Sequence, residues 1–160
     1  MKRLALALAV LTLATPVMAQ NAGQIARVRG GASCPGCNLF QGDFSGLEKS
    51  GLNLSGARLR QADLSLSVMN RTRFSNTDMR DVEAYGAVFS NANFSRANLT
   101  NASFVGAFLE GANLSGANLT GTNFSGAQLA RASGLTQAQL NRACGDEATT
   151  LPRSLRIPAC

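Results

Sequence analysis

Several residue types are absent or scarce in this chain of 160 residues. It has no His and no Trp, a single Tyr, and only 15% charged residues. Without His there is no imidazole base and no imidazole metal ligand, which excludes most hydrolytic and metal-dependent reaction schemes. The phosphate-binding pattern GxxxxGK[ST] is missing as well, so a Walker-type nucleotide site is not expected.

The only long apolar run lies at the N-terminus, and at eleven residues it is too short to span a bilayer permanently. It covers residues 4–14, follows the basic pair Lys2 and Arg3, and precedes the small residues Val17 and Ala19. This layout is typical of a secretory signal peptide. We predict that residues 1–19 are removed after Ala19 and that the protein is exported to the periplasm or beyond, without stable membrane insertion. A buried N-terminal helix is the alternative.

A repeat of five residues runs from 37 to 131. Every fifth residue from Leu39 to Leu129 is Leu, Phe or Met, except Lys49 and Ala84. The residue two before each is usually small, most often Ala, and the one between is mostly Asn or Asp. A period of five fits neither a helix nor a lone strand, so the chain must turn a corner in every unit. The large and small residues point inward, and four corners close one coil after twenty residues.

The unit Ala-(Asn/Asp)-(Leu/Phe)-(Ser/Thr)-Gly resembles the A(D/N)LXX unit of the pentapeptide-repeat family, and the signal peptide suggests an exported bacterial type. The resemblance covers residues 37–131. It implies an all-β protein, a right-handed quadrilateral β-helix, that is not an enzyme; we expect no cofactor. At about 4.8 Å per coil the rod is roughly 23 Å long. Because a charged amine cannot stay buried unpaired, Lys49 must leave the core through the N-terminal end or distort the first coil.

The two ends of the rod expose unpaired backbone edges and should carry caps. Residues 20–36 are polar, and we interpret them as a flexible leader. Residues 132–160 are interpreted as a C-terminal cap: Thr136 and Gln139 form a capping-box pattern, which predicts a short α-helix over 137–144 that ends at Gly145.

Four cysteines lie at the two ends, and export would place them in an oxidising compartment. A rod of about 23 Å forbids end-to-end pairing unless the tail doubles back, since a disulfide needs Cα atoms within about 7 Å. This favours the pairs Cys34–Cys37 and Cys144–Cys160. Cys34 and Cys37 also have CxxC redox spacing, so a thiol–disulfide protein is an alternative. A structural staple is favoured because no βαβ pattern is present and Cys37 occupies an inward position.

Residues twenty apart should stack on one face of the rod. One such column places Asp43, Asp63 and Glu83 about 5 Å apart, where like charges repel and a cation or basic partner would relieve them. The alternative is that Asp is simply a permitted residue at this solvated position. Tyr85 and Val105 lie beside this column.

The next column reads Glu48, Val68, Val88, Phe108, Gln128, with apolar residues where Asn or Asp is usual. We call Val68, Val88 and Phe108 the apolar stripe. An exposed apolar stripe on a Ser/Asn-rich surface indicates a contact surface for a protein partner or a second copy. Alternatively, the leader or the tail covers it.

These features suggest three candidate functions for the protein. The first is an exported, non-catalytic scaffold that binds a protein whose identity the sequence does not give. The second, a DNA mimic like the gyrase-interacting members of the family, needs a strongly acidic surface. Residues 37–131 instead carry eight basic and seven acidic side chains, and a signal peptide leads away from gyrase. The third is the CxxC redox protein. Nucleic-acid binding is not expected, because the arginines are dispersed and no aromatic platform is present.

Overall fold

The structure is a computed structural model that describes residues 20–160; the predicted signal peptide, residues 1–19, lies outside the described residues. From Asn38 to Ser133 the backbone forms a coil in which residues twenty apart make parallel bridges. The first joins Asn38 to Arg58, and the last of this spacing joins Asn113 to Ser133. The predicted register of twenty residues per coil is therefore confirmed over this range. Each bridge is a single residue long, because a corner interrupts the extended backbone in every unit.

The inward positions form one continuous core. The large residues of the repeat are fully buried, and the small residues two before them are mostly Ala. Phe74 and Phe94 stack with ring centroids 4.9 Å apart, and Phe104 and Phe124 stack at 5.6 Å. Stacked and edge-to-face rings at these distances add to the stabilisation that burial provides. Ala84 is also fully buried in this core.

The corners and the exceptions to the repeat have steric explanations. At each corner one residue has a positive φ, as at Gly46 (63°) and Leu66 (58°). Gly42 stands where Ala is usual because a Cβ there would lie 2.5 Å from Cε2 of Phe44. Lys49 is exposed, and its Cδ lies 3.1 Å from where a Cβ on Gly31 would stand. Its amine therefore leaves the core at the N-terminal end, which is one of the two outcomes predicted for this residue.

The predicted flexible leader is wrong for much of its length, because helix α1 spans Ala22–Arg29. The side chain of Asn21 caps this helix by accepting a hydrogen bond from the Gln24 amide. Val28 is fully buried against the first coil, and Ile25 is partly buried one turn earlier. Residues three apart lie on the same face of a helix, so these two side chains close the N-terminal end of the core.

Side chains around α1 take the place of a preceding coil. Oε1 of Gln24 accepts a hydrogen bond from the amide of Asn38 at 2.6 Å. The hydroxyl of Ser33 accepts one from the amide of Asn53 at 2.8 Å. Backbone groups that would be left unpaired at the open end of the rod are thereby satisfied.

Helix α2, Gln137–Leu140, closes the other end and is shorter than the predicted 137–144. The capping box between Thr136 and Gln139 is present, and Leu140 is fully buried. The helix ends early because Cys144 has to be extended to bridge Asn123 of the last coil. Gly145 therefore does not end the helix; it forms a bridge with Ala159.

The tail adds part of a further coil. Besides Cys144, Thr150 bridges Gln128, so the tail pairs with two faces of the rod. The side-chain amide of Gln139 donates hydrogen bonds to the carbonyl oxygens of Leu114 (3.0 Å) and Ala117 (2.9 Å). The two disulfides have the expected partners: they join Cys34 to Cys37 and Cys144 to Cys160, with Cα atoms 5.5 Å and 4.8 Å apart.

Candidate partner-binding surface

The acidic column is assembled as the register requires. Asp43 bridges Asp63, and Asp63 bridges Glu83. Asp43 has a basic neighbour, because Nη1 of Arg29 in α1 lies 3.4 Å from its Oδ2. Hydrogen bonds from the hydroxyl and amide of Ser45, with Arg29 adding its charge, lower the pKa of Asp43. Part of the basic partner expected for this column is thus supplied by the chain's own N-terminal helix.

The other two carboxylates of the column lack such a partner. Asp63 and Glu83 are exposed, and no ion pair within residues 20–160 includes either of them. Oδ1 of Asp63 accepts a hydrogen bond from the amide of Ser65 at 2.8 Å, which fixes its orientation at the rod surface. In the part of the chain that the structure describes, no group of three or more acidic or Cys side chains is arranged to hold a metal ion. The column therefore presents negative charge to solvent.

The apolar stripe is also continuous. Val68 bridges Val88, which bridges Phe108, so the three side chains lie on successive coils of one face. Val68 and Val88 are half-buried, whereas Phe108 is 40% exposed. Phe108 gains only part of the stabilisation that full burial would give, because two fifths of its surface stays in contact with water.

Leu66 extends this surface and was not identified from the sequence. It is 62% exposed, and Tyr85, on the next coil, is 57% exposed. Cδ2 of Leu66 lies 3.0 Å from where a Cβ on Gly86 would stand, so its side chain leans across the corner towards the next coil. The signal was an apolar residue at a corner that usually carries Gly or Asn. We call the following six residues the apolar patch: Leu66, Val68, Tyr85, Val88, Val105 and Phe108.

Neither end of the described chain covers the apolar patch. Helix α1 lies over the first coil, where Gln24 contacts Asn38. The tail pairs with the last repeat units, through Gln128 and Asn123. For residues 20–160, the alternative that the leader or the tail buries the stripe is therefore wrong, and its aromatic ring stays exposed.

The remaining faces are polar, with scattered arginines. Arg58 bridges Asp78 on the next coil, but the ion pair of Asp78 is with Arg80, whose Nε lies 2.8 Å from its Oδ1. That hydrogen bond from the Arg80 guanidinium lowers the pKa of Asp78. Arg73 and Arg96, on the face opposite the acidic column, form no ion pair within residues 20–160. The face opposite the acidic column thus presents positive charge to solvent.

The CxxC segment has the geometry of a staple. The Cys34 side chain is 1% exposed and is joined to Cys37. Reactive cysteines usually lie at a helix N-terminus that stabilises the thiolate. Helix α1 ends at Arg29, before the motif, so its C-terminal end adjoins the cysteines. This arrangement favours the structural role over the redox alternative.

The repeat places the chain in a known family. A model described as pentapeptide repeats matches eight copies, over residues 50–83, 82–116, 97–133 and 109–144. The chain belongs to the pentapeptide-repeat family, whose members are right-handed β-helices and generally structural or interaction proteins. No curated protein matches it. Within residues 20–160, neither helix has the length and apolar character needed to cross a bilayer.

Three solved structures illustrate the similarity. A trypsin-treated variant of QnrB1, a plasmid-mediated fluoroquinolone resistance protein, is 22% identical, with a TM-score of 0.48, over 77% of this chain and 76% of its own. HetL of the cyanobacterium Nostoc, a pentapeptide-repeat protein involved in heterocyst differentiation regulation, is 23% identical, with a TM-score of 0.44, over 82% and 63%. Another pentapeptide-repeat protein of Nostoc is 26% identical, with a TM-score of 0.37, over 86% and 88%.

Proposed function

We propose that this protein is an exported, non-catalytic scaffold that binds another protein through the apolar patch. The observation that carries the proposal is the exposure of Leu66, Tyr85 and Phe108 together on one side of a rod whose surface is otherwise Ser, Asn and charged residues. Apolar side chains grouped in this way are a feature of interaction surfaces. Aromatic residues are also the usual anchors of protein interfaces.

Export is supported by two independent features. Residues 1–19 have the layout of a signal peptide, and the four cysteines of the chain form two disulfides, which persist in oxidising compartments. The test is the intact mass of the protein recovered from the periplasmic fraction and the medium. A mass corresponding to a chain that starts at Gln20, with four oxidised cysteines, is expected. Recovery from the cytosol with Met1 and free thiols would contradict export.

Binding is tested by affinity capture from envelope extract with matched baits. Phe108→Glu places a charge in the apolar patch, and Asn118→Glu places the same charge at the same position of the unit on another face. A partner should be retained by the wild type and by Asn118→Glu and lost by Phe108→Glu. Circular dichroism and cooperative melting of all three baits establish that each is folded. Identical capture by all three would rule out the apolar patch as the binding surface.

A further inference from the structure

The acidic column and the apolar patch adjoin each other, and together they specify the chemistry of a partner. We infer that the partner presents a basic amphipathic α-helix, laid along the rod axis with its apolar side on the apolar patch and its Lys or Arg side chains over Asp63 and Glu83. This inference rests on the proposed function, since it names what that surface binds.

The spacing of the apolar patch matches a helix. Successive coils are about 4.8 Å apart, and the apolar residues of an amphipathic helix recur about every 5.4 Å, once a turn. The outward row Val68, Val88 and Phe108 crosses three coils. A parallel row of Leu66, Tyr85 and Val105 lies along the adjoining corner. The two rows form an apolar track along one edge of the rod, and an amphipathic helix likewise presents apolar residues in two adjacent rows, at i, i+3, i+4 and i+7.

The charges make the track asymmetric. Asp63 lies three residues before Leu66, and Glu83 two before Tyr85, so both carboxylates border the corner side of the apolar patch. No ion pair of the described chain neutralises them. On the other side, Glu110 is held by Arg131 at 3.8 Å, and Arg71 is exposed. Glu48, which bridges Val68 at the end of the outward row, is likewise exposed and in no ion pair within residues 20–160. A bound helix therefore needs its basic residues over Asp63 and Glu83 and at the end near Glu48, which fixes its orientation.

The same charges disfavour two other occupants. An anionic lipid surface would be repelled by Asp63 and Glu83, and interfacial binding normally uses Lys and Arg around the apolar residues. A second copy related by a two-fold axis perpendicular to the rod axis would present the same patch to itself and would bring the two acidic columns towards each other. A two-fold axis parallel to the rod would instead place the acidic flank opposite Arg71, and the sedimentation measurement below tests that arrangement. Arg73 and Arg96 lie on the opposite side of the rod, too far round to compensate.

The probes are two synthetic helical peptides with the same Leu pattern, at i, i+3, i+4 and i+7, one with Lys and one with Glu at the polar positions. Binding of each to the purified protein is measured by fluorescence anisotropy, with the oligomeric state from sedimentation. The Leu/Lys peptide should bind and the Leu/Glu peptide should not. Phe108→Ala removes the aromatic anchor without adding charge and should weaken binding at least about tenfold. Asp63→Asn with Glu83→Gln should weaken it about threefold to tenfold and reduce its salt dependence. Asn118→Glu is the control and should leave binding unchanged.

The outcomes separate this inference from the proposed function. If both peptides bind equally, Phe108→Ala weakens both and neutralising the two carboxylates has no effect, the patch binds protein but the basic helix is wrong. If neither peptide binds while the protein is a dimer that Phe108→Glu dissociates, the occupant is a second copy, which overturns the inference. If the Leu/Lys peptide binds Phe108→Ala as tightly as wild type, attraction is purely electrostatic and the inference fails. The capture experiment decides the proposed function in each case.

Discussion

The two ends of the rod meet the same physical problem with similar devices. At the N-terminal end, Gln24 of α1 accepts a hydrogen bond from the first coil, and at the C-terminal end Gln139 of α2 donates two to the last coil. Each glutamine occupies the third position of its helix. Each cap also contains one buried aliphatic anchor, Val28 or Leu140, and one disulfide. A cap thus needs an apolar side chain that covers the end of the core and a polar group that makes the hydrogen bonds a further coil would make.

The ends differ in how strongly they are fastened. The N-terminal disulfide joins residues three apart and the C-terminal one residues sixteen apart. The C-terminal tail forms parallel bridges with the rod through Cys144 and Thr150. On the N-terminal side, the backbone amides of Cys34 and Gly36 donate single hydrogen bonds to the first coil. We therefore expect the C-terminal cap to contribute more to stability, and the following predictions test that difference.

Truncating the buried anchors should give the largest effects. Leu140→Ala should lower the free energy of unfolding by about 2–5 kcal/mol, the range for a buried leucine. Val28→Ala removes less apolar surface and should lower it by about 1–2 kcal/mol. Urea denaturation followed by circular dichroism measures both. Leu66→Ala is the exposed control, with an expected change within about 0.5 kcal/mol. Equal losses at the two ends would contradict the ranking.

Removing the disulfides should give the next largest effects. Because loop-closure entropy grows with loop length, replacing Cys144 and Cys160 by Ser should cost about 3 kcal/mol, and replacing Cys34 and Cys37 about 2 kcal/mol. Thermal and urea unfolding of the two double variants provide the comparison. Hydrogen exchange should show faster opening at the end that lost its disulfide. Opening that begins at the intact end would show that the disulfides do not fasten the caps.

The helix N-caps should give smaller changes. Thr136→Ala removes the capping-box acceptor of α2 and should cost about 1 kcal/mol, and Asn21→Ala the same or less at α1. Thr136→Ser keeps the hydroxyl and should behave like wild type. Unfolding midpoints in urea resolve differences of this size. A loss for the Ser variant as large as for Ala would exclude the hydrogen bond as the cause.

Acid should weaken both caps slightly. At the C-terminal end, the pKa of Asp146 is lowered, mainly by a hydrogen bond from the Gly126 amide and further by hydrogen bonds from Thr149 and Ala148. At the N-terminal end, the pKa of Asp43 is lowered. A carboxyl with a lowered folded-state pKa stabilises the fold at pH above its ordinary value of 3.8, and that contribution is lost as the pH falls through the folded pKa.

The measurement is the melting temperature between pH 6 and pH 2. Asp146→Asn and Asp43→Asn should each lose less stability than wild type as the pH falls. Both groups are solvent-exposed, so these are the smallest effects. A wild-type profile that the two variants reproduce would mean that neither carboxylate contributes.

Much of the fold could be predicted from the repeat because its inward positions carry a strong period. That period predicted the register and the inward Leu and Phe, and it showed that Lys49 has either to leave the core or to distort the first coil. Helix α1 was missed because it is short, contains Gly23 and has only two apolar anchors. The sequence does contain one indication of this helix, because Asn21 and Gln24 have the three-residue spacing of an N-terminal cap just before Ile25.

The surface was predictable only in part. The register determines which outward residues stack on one face, which is why the apolar stripe and the acidic column assembled as expected. Leu66 could not be predicted from the period, because a corner position constrains the backbone φ and does not specify where its side chain lies. The Arg80–Asp78 pair was missed because side chains within one corner compete with those of the next coil.

The register of twenty residues also has a consequence for how such a gene can change. A duplication of one repeat unit would leave every inward residue facing inward, and the core would accept it. Every residue after the insertion would, however, move to the next face of the rod. Inserted between Val88 and Phe108, it would carry Phe108 round the corner and break the track, whereas a duplication of four units would only lengthen it. Selection on the surface should therefore favour whole-coil changes, and selection on the core alone would accept single units.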